Sequence, residues 1–265
     1  MLQETPLRSV AAGVPGEGKR PHAARPFFFI ADLHLSEAIP QTVAAFEHFI
    51  RVTAEHADSV FILGDLFEYW IGDDVGLTVY APEAAGLLAL RKSGVEVLFQ
   101  HGNRDFLVGR TFAKATAVKL LPDFHPLMLA GQSVLLSHGD LYCTADTGYQ
   151  RWRRFARNPV AQAVYAALPA SLRQRIAGGV RARSSAGKAY KPADIMDVSE
   201  DAIRASFAAT GVECIIHGHT HRPADHKYDI DGRRCVRTVL ADWRVPGPCE
   251  VLRVDERGFQ RVVLS

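Results

Sequence analysis

Phe27-Phe28-Phe29-Ile30-Ala31 runs straight into Asp32-Leu33-His34, an apolar run of strand length that ends in side chains able to bind metal or phosphate. Runs this short and this apolar read as buried strands. The same grammar recurs four times. Ser59-Val60-Phe61-Ile62-Leu63 leads to Gly64-Asp65, and Val95-Glu96-Val97-Leu98-Phe99 leads to His101-Gly102-Asn103-Arg104-Asp105. Ser133-Val134-Leu135-Leu136 leads to Ser137-His138-Gly139-Asp140, and Val212-Glu213-Cys214-Ile215-Ile216 leads to His217-Gly218-His219-Thr220-His221. Between them, Val43, Phe46, Phe49 and Ile50 fall at helical spacing in residues 41–56, as do Ala84, Leu87, Leu88 and Arg91 in residues 83–93. Strand–helix alternation predicts an α/β fold, which binds its ligands at the carboxyl ends of its strands, where all five polar clusters stand. Residues 235–265 read as strands with turns at Pro246-Gly247-Pro248 and Arg257-Gly258, which predicts a second, partly antiparallel sheet.

The 265 residues around this grammar suit one large domain with a small insertion, and 48% hydrophobic with 23% charged residues is an ordinary globular composition. Residues 1–26 are rich in Gly, Pro, Ala and Arg, lack periodicity and an apolar signal core, and read as a mobile leader. Within it, residues 13–20 nearly match a phosphate-cradling loop, but Arg20 replaces the hydroxyl residue and Pro21 stands where a helix should begin. Cys143, Cys214, Cys235 and Cys249 form no CxxC pair and read as free thiols of a reducing compartment. No stretch is apolar enough to cross a bilayer, and the expected location is cytoplasmic. Residues 151–191 carry ten Lys or Arg and no acid, against a net charge of +2 for the whole chain, which leaves −8 for the rest. Such a division predicts a basic surface that meets an anionic partner. Residues 149–183 are mostly helical in pattern, broken near Pro159 and Pro169, and a Ser/Gly/Ala-rich stretch from Arg183 to Lys188 then leads into Ile195; the insertion of this segment between the fourth and fifth clusters predicts a cap over the site.

Asp32 and His34 stand at i and i+2, and His219 and His221 repeat that spacing, so each pair projects from one side of a strand end. Mixed carboxylate, imidazole and amide donors suit divalent manganese, iron or zinc, and the absence of Cys donors argues against a purely structural zinc. Five such clusters at one sheet edge do not read as core packing, because unpaired buried carboxylates are costly.

The ordered set Asp-x-His, Gly-Asp, Gly-Asn-x-Asp, His and Gly-His-x-His over residues 32–221 resembles the calcineurin-like metallophosphoesterases. The resemblance implies a four-layer αββα sandwich with a small helical cap inserted. It also implies two divalent ions bridged by Asp65 and a hydroxide. Asp32, His34 and His221 would complete one ion site, and Asn103, His138 and His219 the other. Many members have His after the Asn, a candidate proton donor, where this chain has Arg104. Arginine grips phosphate by a bidentate fork but stays protonated, so the leaving group should need no proton, as for a phosphate released from a diphosphate. His101 and His217 remain as alternative acids.

At finer grain, Ile30 to Leu35, Ile62 to Glu68, Trp70-Ile71-Gly72-Asp73-Asp74, His101 to Leu107, Gly148-Tyr149-Gln150, Ile195 to Val198 and Ile216 to Pro223 resemble the UDP-2,3-diacylglucosamine pyrophosphatase family of the lipid A pathway. The similarity runs from residue 27 to about 245. Members cleave UDP-2,3-diacylglucosamine to UMP and 2,3-diacylglucosamine 1-phosphate by water attack on the uridine-side phosphorus, usually with Mn2+. They work as peripheral proteins on the cytoplasmic face of the inner membrane. The resemblance assigns catalysis to Asp65, Asn103, Arg104 and His138. It assigns substrate contacts to Asn103, Arg104, Asp146, Ser184, Lys188, Lys191 and His219, with Lys188 a departure from the asparagine of some members. It divides the chain into a leader at 1–26, a core at 27–145, a basic cap at 146–194 and a second part of the core at 195–265. No nucleic acid partner is expected.

Ala161 to Leu172, with Val164, Tyr165, Leu168 and Leu172 at helical spacing, reads either as an acyl-chain wall facing a membrane or as packing of the cap on the core. His22, His48 and His56 read as solvent-facing, and Cys143 as unactivated. Trp70 reads as packing or as a substrate contact. The alternatives are another metallophosphoesterase acting on a nucleotide or phosphodiester, among them a protein phosphatase, a cyclic-nucleotide phosphodiesterase or a DNA nuclease, and a scaffold that has lost its metals.

Overall fold

The computed structural model describes residues 25–190 and 197–264, with the backbone alone for residues 181–190. The near match at 13–20, His22 and Lys191 lie outside the described residues. A first sheet contains β1 (Phe27–Ile30), β2 (Ser59–Leu63), β3 (Glu96–Gln100) and β4 (Lys119–Leu121), mutually parallel. A second contains β5 (His125–Leu129), β6 (Gln132–Leu136), β7 (Cys214–His217), β8 (Ala224–Ile230) and β9 (Arg233–Val239), in the order β5-β6-β7-β9-β8. The last two strands, β10 (Glu250–Asp255) and β11 (Gly258–Val263), return to the first sheet, giving β11-β10-β1-β2-β3-β4.

Alternation along the strands explains the layering, because successive side chains point to opposite faces. Phe28 and Ile30 enter one cluster with Phe46, Phe49 and Leu87 from helices α1 (Pro40–His48), its continuation through a π-helical turn (Phe49–Thr53), and α3 (Ala81–Lys92). Phe29 and Ala31 enter another with Phe61, Leu136 and Ile216, which lies between the two sheets. Leu135 and Ile215 point the other way, against Ile203 and Phe207 of α8 (Glu200–Thr210). Three clusters thus separate four layers, helices, sheet, sheet and helix. Two short helices, α2 (Asp73–Val79) and α4 (Arg110–Thr116), border the first sheet.

Two expectations need correction. The C-terminal strands do not form one sheet, since β9 joins the second while β10 pairs antiparallel with β1. Val251 is buried on one face of β10 and Leu252 and Val254 on the other, and only a central place in the first sheet covers both. On α3 the buried residues are Glu83, Ala84, Leu87 and Leu90, with Leu88 only half-buried.

Residues 147–190 fold as α5 (Thr147–Ala156), α6 (Pro159–Ala166) and α7 (Ala170–Tyr190). Three of their arginines are used internally. Arg153 pairs with Asp140 and Asp123, Arg157 with Asp123 and the Gly102 carbonyl, and Arg173 with Asp74 and the Ile71 carbonyl. The basic face is therefore smaller than the sequence count, because these acids come from outside the segment. Arg151, Arg154 and Arg175 stay exposed. No helix among the described residues is long and apolar enough to cross a membrane.

Candidate metal centre

Five strands deliver the predicted donors. Asp32 and His34 follow β1, Asp65 follows β2, Asn103 follows β3, His138 follows β6, and His219 and His221 follow β7. The backbone at these positions is unusual. Asp32, His34, Asp65, His219 and His221 all have positive φ, between 50° and 71°, and they account for five of the eight such non-glycine residues among those described. This region costs an L-residue about 1–2 kcal/mol each. The loops are held there by hydrogen bonds between them, Asp32 N–H to the Gly64 carbonyl at 3.1 Å and His34 N–H to the Asp65 carbonyl at 2.9 Å. Gly218 and Gly102 permit the close approach, since a Cβ at the first would collide with the Asp32 carboxylate and at the second with that of Asp65.

The side chains converge on two adjoining groups, Asp32 with His34 and His221, and Asp32 and Asp65 with His138. Asp65 stands between them, with Oδ2 3.9 Å from His34 Nε2 and Oδ1 3.9 Å from His138 Nε2. Its Oδ1 also accepts the Arg104 N–H at 2.7 Å. Asn103 Oδ1 lies 3.2 Å from His138 Nε2, and the His219 ring packs on that of His138 with centroids 5.0 Å apart. The structure thus brings all seven predicted donors together.

These residues fit divalent cations on the geometry itself. Asp32 is fully buried, and its Oδ1 has no hydrogen-bond partner. His34 and His221 point Nε2 at one another across 3.3 Å. His138 Nδ1 donates to the Leu63 carbonyl at 2.8 Å, so in the neutral ring Nε2 carries a lone pair turned toward Asn103 Oδ1. Lone pairs turned toward a common point are the arrangement a divalent cation fills. Burial opposes ionisation of Asp32, but His221, His138 and His34 hold its carboxyl well below the usual carboxylate range. Burial, with His138 alongside, pushes His219 down to about 4, a neutral ring ready to ligate.

A cavity of about 600 Å³ opens over this centre, lined by His34, Asp65, Asn103, Arg104, His219 and His221 and, farther out, by Ser36, Thr42, Trp243 and Arg244. Arg104 reaches into it, with Nη1 3.5 Å from Glu68. Neither alternative acid does. His217 is fully buried, with Nδ1 donating to the Gly218 carbonyl and Nε2 facing Arg237, and burial pushes it down to about 3. His101 Nε2 donates to the Val108 carbonyl at 2.7 Å.

The other predicted residues fall as follows. Asp146 is the N-cap of α5 and accepts the Tyr149 N–H at 3.0 Å. Ser184 and Lys188 lie on α7 where the backbone alone is described. Trp70 is buried against Phe67, Tyr80 and Phe112 and donates to Asp73, so it packs and does not touch the cavity. Cys143 is buried and pushed up to about 12, an inert thiol. Val160, Val164 and Phe155 are 71%, 62% and 63% exposed, so this part of the helical segment does not pack on the core.

Sequence reasoning assigned no role to Glu68, Asp140, Asp242 and Arg244. Asp140 accepts from Arg153 Nε at 2.7 Å and from the Tyr149 hydroxyl, fastening α5 beside His138. Removing one partner of a buried ion pair costs about 3–5 kcal/mol. Asp140→Ala should therefore lower the melting temperature by several degrees and expose residues 147–190 to limited proteolysis, and an unchanged digestion pattern would contradict the fastening role.

The profile of the calcineurin-like phosphoesterases matches residues 25–223. The chain is similar to UDP-2,3-diacylglucosamine hydrolase of Serratia proteamaculans, 46% identical over 219 residues, covering 83% of this chain and 91% of that one. The namesake from Edwardsiella ictaluri is 43% identical over 237 residues, 89% of this chain and 91% of that one. The one from Pseudomonas entomophila is 44% identical over 231 residues, 87% and 95% respectively.

Proposed function

The chain belongs to the calcineurin-like phosphoesterase family, and we propose that it is a metal-dependent hydrolase of the lipid A pathway that cleaves UDP-2,3-diacylglucosamine to UMP and 2,3-diacylglucosamine 1-phosphate. The observation that carries the reading is Asp65, set between two groups of donors with one oxygen toward each, beside an arginine that reaches into the cavity. Asp32, His34, Asp65 and His221 would hold one divalent ion, and Asp65, Asn103, His138 and His219 the other. Bound there, such ions acidify water and neutralise charge growing on a phosphoryl group. Manganese is the proposed metal, since carboxylate, amide and imidazole donors suit it.

The chain's own residues supply the rest. Arg104 is fixed at its backbone by Asp65 and at its side chain by Glu68, and its fork suits the diphosphate. With His101 and His217 bonded elsewhere, no imidazole outside the donor set lines the cavity among the described residues, which suits a phosphate leaving group that departs unprotonated. Residues 146–194 form the cap in this reading, with Asp146, Ser184, Lys188 and Lys191 as its contacts to the sugar phosphate. Exposed Phe155, Val160, Val164 and Leu172 would receive acyl chains, and Arg151, Arg154 and Arg175 would meet anionic headgroups on the cytoplasmic face of the inner membrane.

Incubating manganese-loaded protein with UDP-2,3-diacylglucosamine in detergent and oxygen-18 water tests the proposal by mass spectrometry. The expected product is UMP carrying the label, which reports attack at the uridine-side phosphorus. Cleavage of an aryl phosphodiester with no UMP formed would leave a phosphoesterase and discard this substrate.

A further inference from the structure

Two carboxylates stand behind the imidazoles of one of the two ion positions. His34 Nδ1 lies 3.3 Å from Glu68 Oε2, and Glu68 Oε1 lies 3.5 Å from Arg104 Nη1. Across the cavity, His221 Nδ1 lies 3.3 Å from Asp242 Oδ2, and Asp242 pairs with Arg244 Nε. Each imidazole thus has Nε2 turned inward and a carboxylate near Nδ1 that an arginine pairs with in turn; the carboxylate hydrogen-bonds at His221, and at His34 it stands at ion-pair distance without a hydrogen bond. Arg244 Nη2 also approaches His221 Nδ1, at 2.9 Å. One ring nitrogen cannot accept from Arg244 and donate to Asp242 together, and when Nε2 offers its lone pair to an ion, Nδ1 bears the proton and Asp242 is its acceptor.

The other position is built differently. His138 Nδ1 donates to a neutral backbone carbonyl, that of Leu63, and the adjoining donor Asn103 is uncharged. A carboxylate behind a ligating imidazole fixes its tautomer and raises its basicity, where a carbonyl does the first and little of the second. Asp32 lies with both donor groups, so the carboxylates behind His34 and His221 are what separate the two positions.

We infer that Glu68 and Asp242 are positioning residues that make the Asp32–His34–His221 position the tighter of the two, so that the ions load in order, this position first. The inference rests on the dimetal reading above but not on the substrate, because its readout is metal binding.

The test is titration of the metal-stripped full chain with Mn2+, following free Mn2+ by electron paramagnetic resonance. Two classes of site are expected. Asn103→Ala should abolish the weaker class and spare the tighter. Glu68→Gln and Asp242→Asn keep shape and remove charge, and each should weaken the tighter class on the order of 10–100-fold while the weaker stays in place. Two sites of equal affinity would overturn the inference, as would loss of the tighter class in Asn103→Ala or a tighter class unmoved in both charge-removing variants. No Mn2+ binding at all would strike the dimetal reading with it, whereas ordered binding in a protein that fails to cleave UDP-2,3-diacylglucosamine would strike only the substrate.

Discussion

Asp65→Ala should lower turnover at least about 1,000-fold, on the order of 4 kcal/mol of transition-state stabilisation, while leaving the protein folded. The large effect follows from position. Asp65 turns one carboxylate oxygen toward His34 and the other toward His138, so its loss removes a ligand from each donor group and a charge that holds two cations near one another. The small effect on folding follows from what Asp65 does without metal. It accepts one hydrogen bond, from Arg104 N–H, at a charged acceptor, worth about 1.5–3 kcal/mol. Against that loss, burial and, after it, the Asp65 charge push the neighbouring Asp105 up to about 7, so removing that charge relieves a repulsion. Asp105 in turn accepts from Gly102 and Leu66 N–H and keeps the two loops joined in the variant. Asp65→Asn separates charge from shape: it should be as inactive, with a melting temperature in chelator close to that of the parent. Turnover within tenfold of the parent in either variant would contradict the bridging role.

The site was legible where residue type is itself rare. A Phe-rich strand ending in Asp-x-His, or a Gly-His-x-His after Cys-Ile-Ile, has few other readings, and five strands ending so define an edge. Those strands were legible because both faces are buried and the run is apolar throughout, as in Ser59–Leu63. The elements that went unread lack such a period. Strand β8 shows solvent Asp225, His226, Lys227 and Asp229, with Tyr228 and Ile230 the buried pair, and α4 buries only Phe112 and Thr116. The partners of the donors were hidden for a different reason. Asp242 meets His221, and Asp140 meets Arg153, through contacts that only the closed sheets create. The same blindness inflated the basic face, since nothing local to Arg157 or Arg173 tells of Asp123 or Asp74. Nor does sequence announce positive φ at Asp32 or His221, which the loops impose.

Arg104→Ala should cost about 100-fold in kcat/KM on the diphosphate substrate, close to the upper end for hydrogen bonds to a charged group. On an activated aryl phosphodiester the loss should be much smaller. The difference comes from which substrate offers a second phosphate. Arg104 is held at two points, by Asp65 at its N–H and by Glu68 at its guanidinium, so its fork is aimed before substrate arrives. A diphosphate presents oxygens on two phosphorus atoms, and the bridging oxygen leaves with charge on the far one. An aryl diester has neither the second phosphate nor, with a good leaving group, the need to stabilise what departs. Lysine at this position keeps the charge but loses the planar fork, so Arg104→Lys should recover only part of the loss on the diphosphate. Because the Arg104 N–H to Asp65 is a backbone bond, both variants retain it and leave the Glu68 charge behind His34, so Mn2+ affinity should change far less than in Glu68→Gln. That separates Arg104 from the ligands themselves: equal losses on the two substrates would move it from substrate binding to support of the metal centre, and a drop in Mn2+ affinity as large as that of Glu68→Gln would say the same through a second measurement.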